Sequence, residues 1–179
     1  MQDEELHEET YLEDEPSRWK KFFTLAVAIF LILMVLSYFW MSYGLDEIIL
    51  SLIESETLEE DVVKINDTSG LIFQKGTYPV LLETYLQNQD KEFKACLIGE
   101  ISLGNYEVTE VFIPEMIEQS FNRVVSKSCP ENTIAELHSQ PYRRCIESEQ
   151  DIKTKEIVRK MNPRRLMVVM CEKERFNFY

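Results

Sequence analysis

The sequence feature that most constrains this chain is an uncharged run close to its first residues. Residues 22–45, FFTLAVAIFLILMVLSYFWMSYGL, carry no charged side chain over 24 positions. A helix rises about 1.5 Å per residue, so this run crosses a hydrocarbon core of roughly 30 Å. A cleaved signal peptide is the competing interpretation, but it has a shorter apolar region and a small-residue cleavage site that is not evident here. The run therefore predicts a transmembrane helix that is not cleaved. Together with the basic residues before the run, this helix covers residues 18–45.

The basic residues that flank this run predict its orientation. Arg18, Lys20 and Lys21 precede it, whereas the first base after it is Lys64. Cytoplasmic flanks of membrane spans carry an excess of Lys and Arg, and acidic residues contribute little to orientation. We therefore expect a cytoplasmic N-terminus and a C-terminal domain on the outer side of the membrane.

Acidic charge is concentrated in two segments on either side of the span. The formal net charge is −13; residues 1–17 carry eight acids and no base, and residues 46–61 carry seven acids and no base. With the three bases between them these segments account for −12, so residues 62–179 are close to neutral. A nearly neutral domain lacks the basic footprint of a nucleic-acid-binding protein, and we expect no nucleic-acid partner.

Changes in composition divide the chain into four segments. Residues 1–17 are acidic with little apolar surface to bury, which is typical of a disordered tail, and residues 18–45 form the span. Residues 46–70 are expected to form a helical stalk and linker, because apolar residues recur there at helical spacing. The apolar stripe of the stalk can pack on the domain or on a second copy of the chain, which leaves self-association open. Residues 71–179 are expected to form the C-terminal domain.

Strand and helix patterns are mixed in this domain without internal repeats. FKACLIGEISL and YEVTEVFIP predict a hairpin, TIAELH and RLMVVMC predict two further strands, and RFNFY predicts a last, shorter one. Helices are expected from Thr77 and over residues 149–161, while residues 114–127 are either a short helix or an excursion. The mixture predicts the α/β class, with one mixed sheet and flanking helices.

The four cysteines are too few for a disulfide scaffold, and no two of them form a C-x-x-C pair. Cys96 and Cys171 lie in apolar runs and are expected to be small core residues. Cys129 and Cys145 fall in predicted loops, where an oxidising exterior would allow them to pair.

A set of polar residues in the domain has the composition of a zinc hydrolase site. Such a site needs about three protein ligands, a carboxylate that takes a proton from the zinc-bound water, and a donor for the developing oxyanion. His138 ends a predicted strand, Ser148 and Asp151 begin a predicted helix, and Glu92 precedes a neighbouring strand.

The order and spacing of these residues resemble the JAMM motif of the JAB1/MPN/Mov34 metalloprotease family. That motif is an upstream Glu followed by His-x-His-Pro, six residues, Ser, two residues and Asp. Here HSQP at residues 138–141 is followed by six residues, Ser148, two residues and Asp151. Upstream, EFKACLIG is similar to the family's Glu-x-x-Gly-Leu-x-x-Gly element, with Glu92 and Gly99 in place and Ala95 at the first Gly. The resemblance covers roughly residues 71–179 and implies an MPN-like fold.

The resemblance also implies a role for each matching residue. His138 and Asp151 would bind zinc, Glu92 would be the general base, and Ser148 would stabilise the oxyanion. Active members of the family cleave isopeptide bonds to ubiquitin-like proteins, and inactive members serve as scaffolds. The chain is therefore expected to be either a membrane-anchored zinc-dependent peptidase or isopeptidase, or a non-catalytic module that binds a protein partner.

Gln140 occupies the position of the second motif histidine and weakens the predicted metal site. An amide oxygen is a hard, uncharged donor that suits zinc less well than an imidazole nitrogen does. The other histidine, His7, lies in the tail beyond the span, so Cys145 is the nearest soft donor that can substitute.

Two features nearby have simpler explanations as well. Residues 148–151, SEQD, also match a capping box that begins a helix without any metal. Eight bases between Arg143 and Arg165 form either a solvated helix face or a docking surface for an acidic segment.

Overall fold

A computed structural model of the chain describes the backbone of residues 17–43, 45–141, 145 and 149–179. The chain divides into two compact units, Met1–Gly44 and Leu45–Tyr179. The first contains helix α1 (Arg18–Tyr43). Its residues Arg18–Ser42 are long and apolar enough to cross a membrane, as the sequence predicts. Apart from Ser17, the predicted acidic tail lies outside the described residues.

The second unit contains three helices and ten strands among its described residues. They are, in chain order, α2 (Leu45–Glu54), β1 (Glu56–Glu59), β2 (Val62–Asn66), β3 (Ser69–Phe73), α3 (Thr77–Gln87), β4 (Lys94–Ser102), β5 (Asn105–Phe112), β6 (Met116–Ser120), β7 (Arg123–Ser126), β8 (Thr133–Ser139), α4 (Glu149–Met161), β9 (Leu166–Glu172) and β10 (Arg175–Phe178).

Within the described residues, eight of these strands close into a barrel in the order β1-β10-β9-β8-β4-β5-β3-β2. The ring is completed because β2 also pairs with β1, and the pairs are antiparallel except for β3 with β5 and β8 with β9. Strands β6 and β7 form a separate hairpin. The predicted α/β class, an MPN-like mixed sheet with flanking helices, is therefore wrong.

The difference arises from the segment that was expected to be a stalk and linker. Only its first part is helical, since α2 ends at Glu54, and β1, β2 and β3 follow between Glu56 and Phe73. Glu60 and Asp61 have φ values of 50° and 65° and form a two-residue turn between β1 and β2. Such turns have the twist that tight hairpins require. The acidic run thus contains a hairpin turn, and the barrel begins near Glu56 rather than at residue 71.

The barrel interior is filled by apolar side chains from alternate positions of its strands. Because successive strand residues point to opposite faces, Ala95 and Leu97 of β4 and Ala135 and Leu137 of β8 all enter the same core. Leu81 of α3 is also fully buried in this cluster. The remaining buried members are Val63, Leu71, Phe73, Phe93, Val108, Ile134, Val168, Met170 and Phe176. A second cluster forms where α4 covers the other face of β9, and contains Val158, Met167, Val169 and Tyr179.

Gly99 has a structural role that explains its place in the β4 sequence. The β4–β5 register shifts between Ile98 and Gly99, which marks a bulge. A Cβ atom at Gly99 would lie 1.9 Å from the Glu107 carbonyl oxygen, a distance that no side chain can occupy. Bulges and glycines let a strand bend sharply, and this bend helps β4 to follow the barrel wall.

Tyr78, at the start of α3, gives the domain a specific sensitivity to alkaline pH. Its hydroxyl donates a hydrogen bond to the Lys173 carbonyl oxygen. Burial, followed by the negative charges of Glu174 and Asp61, raises the pKa of Tyr78 from 10.0 to about 12. The folded state therefore favours the neutral phenol, and this contribution to stability is complete below pH 10 and is lost as the pH rises through about 12.

We predict that Tyr78→Phe flattens the fall in unfolding free energy between about pH 10 and pH 12. The measurement is urea unfolding of the full chain in detergent at several pH values, with tyrosinate absorbance followed in parallel. An unchanged slope in the variant, or wild-type protein without a late-titrating tyrosine, would contradict the prediction.

Candidate functional site

The pairing of β4 with β8 brings two predicted site residues into one pocket on the outer face of the barrel. Lys94 lies opposite His138 in the β4–β8 register, and Glu92 precedes Lys94 by two residues. Glu92 and His138 are both buried, at 9% and 7% exposure, and both line a pocket of about 70 Å³. The other lining residues are Lys94, Asn122, Arg123, Val124, Glu136, Leu137, Thr154 and Met167.

His138 contacts an aromatic side chain from the last residue of the sequence. The Tyr179 hydroxyl lies 3.3 Å from His138 Nδ1, and the two rings meet edge to face. The Lys155 ammonium group lies 5.2 Å from the centroid of the Tyr179 ring, in a cation–π arrangement. The imidazole is therefore held by a tyrosine that is itself buried and covered by α4.

Gln140, the predicted substitute ligand, is buried immediately after β8. Its backbone N–H donates to the Met170 carbonyl oxygen at 3.0 Å, which extends the β8–β9 pairing by one residue. Gln140 is not among the described residues that line the small pocket together with His138. The structure thus shows the Gln140 backbone continuing the β8–β9 pairing.

The remaining two motif positions fall near α4. Ser148 lies outside the described residues. The backbone of Asp151 belongs to the first turn of α4, and the description does not extend to its side chain. Asp151 precedes Thr154 by three residues, about one helical turn, and Thr154 lines the pocket. The helix therefore brings the Asp151 position close to the pocket occupied by Glu92 and His138.

All four cysteines are described, and they form two disulfides, Cys96–Cys129 and Cys145–Cys171. Each bond joins a cysteine on a strand to one in a loop, so the pairing of the two loop cysteines considered above does not occur. Cys96 and Cys171 are buried in the core as expected, and each of them is bonded to one of the loop cysteines. The Cys145 sulfur is bonded to Cys171 and is excluded as the thiolate ligand that would compensate for Gln140.

A buried charge network lies beside the pocket. Glu136 on β8 accepts from Lys94 Nζ at 2.6 Å and from Arg165 Nη1 at 2.8 Å. Arg165 Nε also donates to the Thr133 carbonyl oxygen at 3.1 Å. Sequence reasoning assigned Arg165 to a basic surface, whereas its side chain is only 11% exposed. The signal for this network was the single acid in the apolar strand TIAELH, because a buried charge requires a partner.

The described side chains alone do not make up a zinc site, and they do not include the side chain of Asp151. Among them, no group of three or more His, Cys, Asp and Glu side chains is arranged to hold a metal. His138 supplies one imidazole, Gln140 has only a neutral amide, and Cys145 is bonded to Cys171. Zinc sites in proteins normally require at least three His, Cys or carboxylate ligands.

A larger concavity lies elsewhere on the barrel. None of the predicted site residues that the structure describes line it. Its volume is about 620 Å³, and it is lined by Thr57, Tyr85, Gln89, Glu172, Lys173, Glu174 and Arg175. The chemistry suggested by the sequence therefore belongs to the smaller pocket.

Comparison with protein-family models and with curated proteins finds no match to this chain. The candidate site therefore rests on the residues and their geometry.

We predict that Glu136→Ala lowers the free energy of unfolding by about 3–5 kcal/mol, because it leaves Lys94 and Arg165 without their buried counter-charge. The matched control is Asp67→Ala, which removes an exposed ion pair to Lys64 and should cost about 1 kcal/mol or less. Urea midpoints of the full chain in detergent measure both. Equal losses in the two variants would show that the Glu136 network contributes no more than a surface ion pair.

Proposed function

We propose that this chain is a membrane-anchored protein whose barrel domain is a non-catalytic module that binds a protein partner. The observation that carries the proposal is the chemistry around His138. At the position of the second motif histidine the chain has only the neutral amide of Gln140, and Cys145, which could have substituted, is bonded to Cys171. The imidazole itself contacts the buried Tyr179 hydroxyl.

The hairpin beside the pocket supports a protein partner. Asn122, Arg123 and Val124 from this hairpin line the pocket. Phe121 at its turn and Ile117 in β6 are 60% and 68% exposed. Exposed large apolar side chains next to a polar pocket are typical of protein-interaction surfaces. A ubiquitin-like protein is one candidate partner, through the resemblance described above.

A second function is favoured by the shared pocket of Glu92 and His138. In this alternative the chain is a JAMM-type peptidase or isopeptidase, and His138, Asp151 and Gln140 would hold a weakly bound zinc. The metal would supply Lewis acidity and a water of lowered pKa. Glu92 would accept the proton of that water, and Ser148 would donate to the oxyanion.

Metal content and activity of Gln140→His distinguish the two functions. For the unmodified full chain in detergent we expect substoichiometric zinc and no hydrolysis of an isopeptide-linked substrate. Gln140→His adds a second imidazole and should tighten zinc binding at least tenfold, about 1.4 kcal/mol. The gain should disappear when His138→Ala is added to Gln140→His.

Stoichiometric zinc in the unmodified protein, lost on His138→Ala, would overturn the non-catalytic proposal. Glu92→Gln is the control for activity, because it retains the size of the side chain and removes the base. Hydrolysis that survives Glu92→Gln would contradict the catalytic alternative as well.

We further propose that the barrel domain faces the outer side of the membrane. Two disulfides support this orientation, because such bonds persist mainly in oxidising compartments. The basic residues before the span support it independently. An outer location would also separate the domain from cytosolic ubiquitin-like conjugates, which favours a different protein partner.

We predict that protease added to intact cells digests the barrel domain and leaves the N-terminal tail protected. A maleimide reagent should label the four cysteines only after reduction, because each is bonded in the folded domain. Digestion of the domain only after permeabilisation, with freely reactive thiols, would reverse the proposed orientation.

A further inference from the structure

Helix α2 contacts the barrel through serines. Ser51 is 2% exposed, and its Oγ accepts a hydrogen bond from the Cys145 backbone N–H at 2.8 Å. Ser55, just after the helix, is 8% exposed, and its Oγ accepts from Arg175 Nη1 at 3.0 Å. Arg175 also donates to the Leu52 carbonyl oxygen at 3.4 Å. The helix is therefore fixed to the domain by polar contacts.

The outward face of α2 is apolar. Ile53 is 75% exposed and lies two residues from Ser51, about 200° around a helix with 3.6 residues per turn. Ile49, Leu50 and Leu52 are 46%, 45% and 49% exposed. A surface helix on a water-soluble domain normally has its apolar stripe against the core and its polar side chains in water. Over residues 49–53 of α2 this arrangement is reversed, which favours a second apolar environment on the outward face.

Covalent continuity identifies that environment. One residue separates the end of α1 at Tyr43 from the start of α2 at Leu45. Consecutive Cα atoms are about 3.8 Å apart, so α2 begins within a few ångströms of the end of an apolar helix long enough to cross a membrane. The boundary between headgroups and acyl chains is thus within reach of α2 in every molecule, whereas a second copy must first be recruited.

The charges of the segment specify the type of lipid surface. LDEIILSLIE contains three acids and no base, and acids continue through residue 61. Helices that bind anionic membranes are rich in Lys and Arg on their polar face. The composition of α2 therefore fits a zwitterionic surface and excludes attraction to anionic headgroups.

We propose that α2 is an interfacial helix, with Ile49, Leu50, Leu52 and Ile53 inserted at the headgroup–acyl boundary of a zwitterionic bilayer leaflet. Its serine contacts to the Cys145 loop and to Arg175 then hold the barrel domain at the membrane surface. The domain is attached to the bilayer by two helices, one that crosses it and one that lies in its interface.

Fluorescence quenching in the full chain tests this directly. Trp19→Phe and Trp40→Phe remove the two native tryptophans, and Ile53→Trp places a single probe on the outward face of α2. The protein is reconstituted in phosphatidylcholine vesicles whose acyl chains are brominated near the headgroup. We expect the brominated lipid to quench the Ile53→Trp probe to within about twofold of its quenching of native Trp40, measured in a Trp19→Phe protein. Aqueous iodide should quench the Ile53→Trp probe little.

Matched variants separate the apolar face from the serine contacts. The triple variant Ile49→Ser, Leu50→Ser and Leu52→Ser should reduce lipid quenching of the probe at least twofold. Ser51 and Ser55 stay intact, and complete maleimide protection of the cysteines verifies that the barrel is folded. Adding phosphatidylglycerol to the vesicles should not increase the quenching.

Three results would overturn the proposal. A probe quenched by iodide but not by brominated lipid would place the outward face of α2 in water. A probe shielded from both quenchers, with crosslinks between copies, would assign that face to a second copy of the chain. Quenching that requires phosphatidylglycerol would refute the zwitterionic surface.

Discussion

The pairing of β4 with β8 places Lys94 opposite His138. This register determines which side chains of the two strands face the core and which face the outer side of the barrel wall. On the inner side, Ala95 and Leu137 contribute to the main core. On the outer side, the same alternation places Glu92, Lys94, Glu136 and His138 together in a polar pocket covered by α4. A shift of one residue in this register would exchange the two faces and bury the charges in the barrel core.

Much of this arrangement could be predicted from local sequence. FKACLIGEISL and TIAELH have the apolar content of buried strands, and the helix at residues 149–161 and the strand RLMVVMC lie where their patterns indicate. The spacing of Glu92, His138 and Asp151 also predicted that distant segments would meet, and Glu92 and His138 do line one pocket. Regular patterns and short motifs are visible in one sequence because they depend on neighbouring residues.

The closed barrel, the disulfides and the charge network depend on long-range partners, which a single sequence does not specify. Strands β1 and β2 are short and β1 carries two acids, and only their pairing with each other and with β10 and β3 makes them part of the sheet. Likewise, four cysteines allow three connectivities, and only the barrel geometry selects the pairs Cys96–Cys129 and Cys145–Cys171. Arg165 was interpreted as a surface base because its partner Glu136 lies 29 residues away.

The disulfide at Cys145 connects the candidate site to helix α2. Cys145 lies between His138 and the start of α4, in the stretch that carries the motif. Its sulfur is bonded to Cys171, its N–H donates to Ser51 Oγ, and its carbonyl oxygen accepts from Asn177 Nδ2 at 2.7 Å. The loop that would carry a soft metal ligand is therefore used to join α2, β9 and β10. The disulfide thus removes Cys145 as a metal donor, and the backbone of the same residue links α2 and β10 to β9.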